Sequence, residues 1–149
     1  MSRPALFLVG LGVGSLIALQ VGINARLRQS LGSSLQAAFV SFAVGTAALA
    51  IAVAVDSRKL PTEGFLRIPW WAWTGGFLGA FYITSTIVLA PRLGALALVA
   101  LVVAGQILTA IVLDHFGLFA FSRQPVTASR LVGAALLMAG VLLVLRRDH

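Results

Sequence analysis

The chain has 149 residues, of which 60% are hydrophobic and 10% charged, with a formal net charge of +7. Soluble domains carry roughly 25% charged residues, so an ordinary water-soluble globule is excluded, because its surface could not be wetted. The absence of cysteine excludes a disulfide framework and thiolate metal sites, and basic residues standing singly or in pairs between apolar blocks exclude a nucleic-acid patch and fit cations that flank membrane spans.

Five apolar blocks follow one another. Ala5–Ile23 is 19 residues without a charge, and Leu35–Val55, Trp70–Ala90 and Leu93–Leu113 are 21 each. Leu131–Leu145 is shorter, at 15 residues, with Arg130 and Arg146-Arg147 placed to snorkel at its ends. A span needs roughly 20 apolar residues to cross about 30 Å of hydrocarbon. The expected fold class is therefore all-α integral membrane. It is one domain over residues 1–149 with transmembrane helices at about 5–25, 35–55, 70–90, 93–113 and 128–146. Arg3 before an apolar run loosely fits a signal peptide, but four spans follow and the run ends in Gln20 and Asn24; an uncleaved first span is expected.

On the first helix Gln20 and Asn24 are four apart and share a face, beside Gly10 and Gly14. Such a face either lines a wet cavity or glues helices together, at about 0.6–2 kcal/mol per polar contact. The second helix carries a stripe of Ser41, Gly45, Ala48 and Ala52, expected to be a close-packing seam rather than a site. The 56–69 connection, with charges of both signs and two prolines, is expected to be a wet loop. Trp70, Trp71 and Trp73 open the third helix as an aromatic belt. Further along, Gly75, Gly79, Tyr82 and Thr86 form one stripe, and packing is the competing reading for Tyr82 and Thr86.

Pro91-Arg92 is expected to be a tight turn joining the third and fourth helices as an antiparallel hairpin. The fourth helix places Val99, Val102, Gln106 and Thr109 on one face and closes on Asp114-His115. A carboxylate at a helix C-terminus opposes the macrodipole, so Asp114 needs a cation such as Arg123 or Arg130. Asp114, His115 and Arg130 form either an ion-pair cluster or a gate. The stretch from Asp114 to Arg130, with Phe116, Leu118, Phe119 and Phe121, is expected at the membrane interface, and Gly133, Ala134 and Gly140 of the fifth helix suit helix pairing.

With five spans the chain termini lie on opposite sides. Arg3, Arg58, Lys59, Arg67, Arg123 and Arg130 then fall on one side, against Arg26, Arg28, Arg92, Arg146 and Arg147 on the other. Lysine and arginine excess sets orientation, and this near-even count has two explanations. Either a few dominant positions fix an N-terminus-in protein, or the chain inserts both ways and pairs with itself antiparallel. No Asp, Glu, Lys or Arg lies inside a block, so a membrane carboxylate relay is not available. Catalytic motifs are missing too: there is no nucleophile elbow, phosphate loop or paired carboxylates, so no enzyme and no cofactor or metal is expected.

Gln20-x-x-x-Asn24, Ser41-Phe42-x-x-Gly45-Thr46, Trp73-x-Gly75-Gly76-x-x-Gly79-Ala80-Phe81-Tyr82 and Ala90-Pro91-Arg92-Leu93-Gly94 come in this order. Gly105-Gln106, Asp114-His115-Phe116-Gly117, Pro125 and Arg130-x-x-Gly133 follow. Together they resemble the YdcZ-like family of the drug/metabolite transporter superfamily over nearly the whole chain. The resemblance implies a five-helix half of a 5+5 inverted-repeat transporter in the inner membrane. Its partner would be a second five-helix subunit, identical and antiparallel or a sister chain. The likeness to the small multidrug-resistance branch is distant. That branch binds cations and protons through a first-helix glutamate, where this chain has Gln20 and Asn24.

The functional expectation is a secondary transporter, an exporter of small polar or amphipathic molecules, working as a dimer in the lipid bilayer. Gln20, Asn24, Tyr82, Thr86, Gln106 and Thr109 would line its site at the membrane midplane. A non-transporting membrane subunit that stabilises a partner, and a flippase for a lipid-linked substrate, are the alternatives.

Overall fold

A computed structural model describes residues 3–56, 68–119 and 121–146. Residues 57–67 of the expected 56–69 wet loop, and Arg147, lie outside them. The described elements are helical: α1 (Arg3–Leu31), α2 (Ser34–Val55), α3 (Thr74–Leu93, preceded by a 3₁₀ turn at Trp70–Trp73), α4 (Ala95–Phe116) and α5 (Ala128–Leu145). All five are long and apolar enough to cross a membrane. Their Leu, Val and Phe side chains are exposed on nearly every face, as lipid allows and water does not. Two compact units divide the chain, Met1–Arg92 and Leu93–His149.

In the first unit, α1 runs for 29 residues, roughly 43 Å at 1.5 Å per residue. It passes the expected end near residue 25 by more than a turn and carries Arg26 and Arg28 as helical residues rather than loop cations. Hydropathy marks where hydrocarbon ends, whereas a helix continues until its backbone is broken. Here that happens at Gly32, whose φ is 73° and whose N–H donates to the Arg28 carbonyl at 2.8 Å. Ser33 then caps α2, its hydroxyl accepting from the Gln36 N–H. With only Gly32 and Ser33 between them, α1 and α2 pack antiparallel, which sets Arg28, Asn24 and Gln20 level with about Ala37, Ser41 and Gly45.

Helix α3 completes this unit. Ala37 and Ala38 of α2 pack with Ile83 and Ile87 of α3, and Leu27 and Tyr82 close over them. The turn expected at Pro91-Arg92 is not there: α3 continues through both residues to Leu93, and the chain breaks at Gly94, φ 78°. A proline in a last turn removes only one hydrogen bond, the N–H that would reach the carbonyl four residues back. That carbonyl belongs to Ile87, which is fully buried. Arg28 of α1 donates to it instead, Nη1 to O at 3.4 Å. Arg28→Leu should therefore cost about 1–3 kcal/mol, the desolvation of an unpaired buried carbonyl. Most of that loss should disappear in a Pro91→Ala background, which restores the N–H. Unfolding of the four proteins in detergent checks this, and equal losses in both backgrounds would contradict it.

The second unit is the α4–α5 pair, with Leu98, Ala104 and Val141 its most buried residues. The end of α4 is closed by its own loop. Gly117 caps it at φ 62°, and both Gly117 and Leu118 donate to the Leu113 carbonyl. The Asp114 carbonyl receives the Gln124 N–H at 2.7 Å, and the His115 carbonyl receives Arg123 Nε at 3.2 Å. Three carbonyls that a helix end leaves orphaned are thus satisfied. A Cβ at Gly117 would stand 3.1 Å from Arg123 Cβ and 3.3 Å from its backbone, in a left-handed conformation. Gly117→Ala should lower stability by about 1–2 kcal/mol through the backbone alone and speed protease cleavage within residues 117–127. Gly133→Ala, whose added Cβ meets nothing within 4 Å, is the control that should leave the loop intact.

Candidate functional site

The polar groups of the first unit gather around α1. A pocket of about 210 Å³ opens between α1 and α2, lined by Gln20, Ser41, Phe42, Gly45, Thr46 and Leu49. These α2 residues straddle the middle of a helix that runs from Ser34 to Val55, so the pocket sits near mid-span. Its polar groups are one amide and two hydroxyls, and it has no charge. Two residues of the stripe expected to be a packing seam, Ser41 and Gly45, line this pocket, and a Cβ at Gly45 would meet nothing within 4 Å.

Asn24 lies one turn further along α1, level with Ser41. It is 3% exposed, and its side-chain nitrogen has no hydrogen-bond partner. An unsatisfied buried donor costs about 1–3 kcal/mol. Phe42 of α2 reaches α3, where a Cβ at Gly79 would lie 3.5 Å from its ring. Thr86 is buried, but its hydroxyl donates to the Ile83 carbonyl of its own helix at 2.8 Å. Tyr82 is half-buried against the alanine–isoleucine core.

Gln106 and Thr109 belong to α4 in the second unit. Both are exposed, and the Thr109 hydroxyl donates to the Gly105 carbonyl. The first unit's pocket is formed without them. At the end of α4, Arg130 Nη1 meets Asp114 Oδ2 at 3.3 Å, with both side chains about a third exposed. Arg130 also holds Gln124 through its carbonyl at 3.4 Å and through its side-chain amide. A pair this exposed contributes about 0–1 kcal/mol, so its main effect is to fix the loop's shape. His115 accepts the Val126 N–H on Nδ1 at 3.4 Å, which ties the loop's far end to α4. Among the described residues no three His, Asp or Glu side chains gather in a way that would hold a metal ion.

The family model described as "Putative inner membrane exporter, YdcZ" matches residues 5–143. The chain is similar to "Inner membrane protein YdcZ" of Escherichia coli (strain K12), at 29% identity over 148 residues, covering 95% of this chain and 94% of that one. No solved structure matches.

Proposed function

The chain belongs to the YdcZ inner membrane exporter family, and on that premise we propose that it moves small polar molecules outward through the pocket of its first unit. It is a multi-pass inner membrane protein of a transporter family rather than an enzyme family. The observation that carries the proposal is the buried Asn24 amide, its nitrogen unpartnered, one turn from a mid-span pocket lined by Gln20, Ser41 and Thr46. A helix bundle built only for packing would place apolar side chains there, since each unpaired amide costs free energy. The pocket's volume falls below the roughly 300–1,000 Å³ of sites for drug-sized ligands, which favours a small metabolite as substrate.

The transporting unit in this proposal is a dimer of five-helix protomers, because an inverted repeat made from one odd-helix chain needs one flipped copy. A flippase for a lipid-linked substrate has one observation in its favour. An apolar groove of about 450 Å³ between α4 and α5, lined by Val99, Val103, Ile107, Leu137, Gly140 and Val141 among others, suits an acyl chain.

Purified protein in liposomes loaded with a metabolite extract, with efflux followed by mass spectrometry, tests the transport reading. A defined set of small polar solutes should leave wild-type vesicles and stay in protein-free ones. Identical lumens would contradict transport, and loss of lipid-linked probes alone would select the flippase. For the dimer, C-terminal reporters should mark both faces of the membrane, and two lysines added to one side's loops should collapse them to one face and impair efflux. A single orientation in the unmodified chain would leave only pairing with a sister subunit.

A further inference from the structure

We infer that the first unit's site recognises an anion: its substrate carries a carboxylate, phosphate or sulfonate. The inference rests on the transport reading above and names the chemical class of the solute. It begins from a ladder on α1. Gln20, Asn24 and Arg28 recur every four residues, so they follow one face over about 12 Å of helix. They lead from the interfacial end of α1 to the mid-span pocket. Asn24 and Arg28 both have donors to give, while Gln20 at the mid-span end offers a donor and an acceptor. Asn24 presents an N–H with no acceptor in a site 97% removed from solvent, its exposure being 3%. Arg28 is part-buried and spends a single N–H on the neutral Ile87 carbonyl. A guanidinium has five donors in a planar fork that fits carboxylate and phosphate two bonds at a time.

Among the described residues of the three helices no carboxylate faces that charge. The helices α1, α2 and α3 contain no Asp or Glu. Asp56 caps α2 at the end opposite Ser34, roughly 28 Å from the Arg28 level. Glu63, the other acid before Leu93, lies outside the described residues. The last turns of α1 and α3 instead carry Arg28 and Arg92, with Arg26 just before the first. Arg26 turns to Gln29 at 2.9 Å. A cationic solute would meet an uncompensated guanidinium in a low-dielectric setting, where like-charge repulsion is strong. A neutral acceptor would satisfy Asn24 but leave the Arg28 charge alone. An anion satisfies both: Arg28 draws it in, and Asn24 receives one of its oxygens one turn deeper.

The same chemistry is offered by a water-soluble anion and by an anionic lipid headgroup, and the test separates them. Thermal unfolding of the full chain is followed in phosphatidylcholine nanodiscs with four probes of similar size: benzoate, phenyl phosphate, benzylammonium and benzyl alcohol. The two anions should raise the Tm saturably, and the cation and the alcohol should not. Removing Arg28 alone risks the fold, so the variant is Arg28→Leu in the Pro91→Ala background, where Ile87 regains a donor. It should need at least tenfold more anion for the same shift, and so should Asn24→Leu.

If phosphatidylglycerol added to the nanodiscs reproduces the shift and suppresses the response to benzoate, the recognised anion is a headgroup. If the benzoate response persists, it is a soluble solute. Equal responses to all four probes, no response to any, or a wild-type response from the Arg28→Leu, Pro91→Ala protein would each overturn the anion assignment. Liposome efflux measured alongside keeps the two readings apart. Efflux without preference for anions overturns the anion class and leaves transport standing. Anion binding without any efflux overturns transport and leaves the anion site standing.

Discussion

Asn24→Leu is expected to give a protein that is more stable than wild type and inactive. The two effects have one cause. The Asn24 amide is nearly fully buried with an unpartnered nitrogen, and that arrangement costs about 1–3 kcal/mol relative to a satisfied group. Leucine has similar length and no polar atom, so the penalty disappears and the α1 face packs against α2 and α3 without it. Were Asn24 a structural contact between helices, the same change would remove about 0.6–2 kcal/mol of stabilisation instead. The sign of the stability change therefore separates the roles before any transport is measured. Efflux from liposomes should then fall to the protein-free level, since the donor that meets the substrate is gone. A destabilised Asn24→Leu protein, or a stable one with normal efflux, would place the site elsewhere.

Gly45→Phe is expected to block transport with little change in fold. Gly45 sits in the wall of the 210 Å³ pocket, and a Cβ built there meets nothing within 4 Å. A phenyl ring grown from that point fills space that is empty rather than displacing neighbours. Exchanging a mid-helix glycine for a side-chain-bearing residue also removes a backbone entropy cost, by up to about 1 kcal/mol. Stability should hold or rise, while efflux should drop at least tenfold. A Gly45→Ala protein occupies much less of the pocket and should keep most of its activity. If Gly45 were the packing seam that its stripe of small neighbours suggests, phenylalanine would instead split α1 from its neighbour and unfold the unit. Unfolding in detergent tells the two apart.

The contrast at Gly45 shows what the sequence holds and what it does not. Span number is legible because a lipid solvent leaves few alternatives: five apolar blocks became five helices, the last running from Ala128 to Leu145. Helix ends were less so. α1 outran its apolar block because Ala25, Arg26, Leu27, Arg28 and Gln29 are good helix formers, and only Gly32 stops it. α3 outran Pro91 because a last-turn proline forfeits one bond that Arg28, remote in sequence, replaces. The site was half legible. Gln20 and Asn24 announce themselves as amides in an apolar run, yet whether an amide is satisfied depends on what three helices place around it. No spacing rule separates Thr86, whose hydroxyl is spent on its own backbone, from Asn24, whose nitrogen is not. Ser41 and Gly45 were read as packing because small residues at helical spacing serve both close approach and open walls.

The central claim is that the mid-span space between α1 and α2 is wet and admits solutes. A thiol reports this directly, because only an ionised thiol in contact with water reacts quickly with a charged reagent. The chain has no cysteine of its own, so single replacements can be labelled without background. Thr46→Cys faces the pocket, and Val44→Cys, two residues away on the same helix, replaces a side chain that is 65% exposed on the outer surface of the helix. In intact membranes a charged methanethiosulfonate should modify Thr46→Cys rapidly and leave Val44→Cys, facing lipid, untouched. Modification of neither, or faster modification of Val44→Cys, would contradict the account.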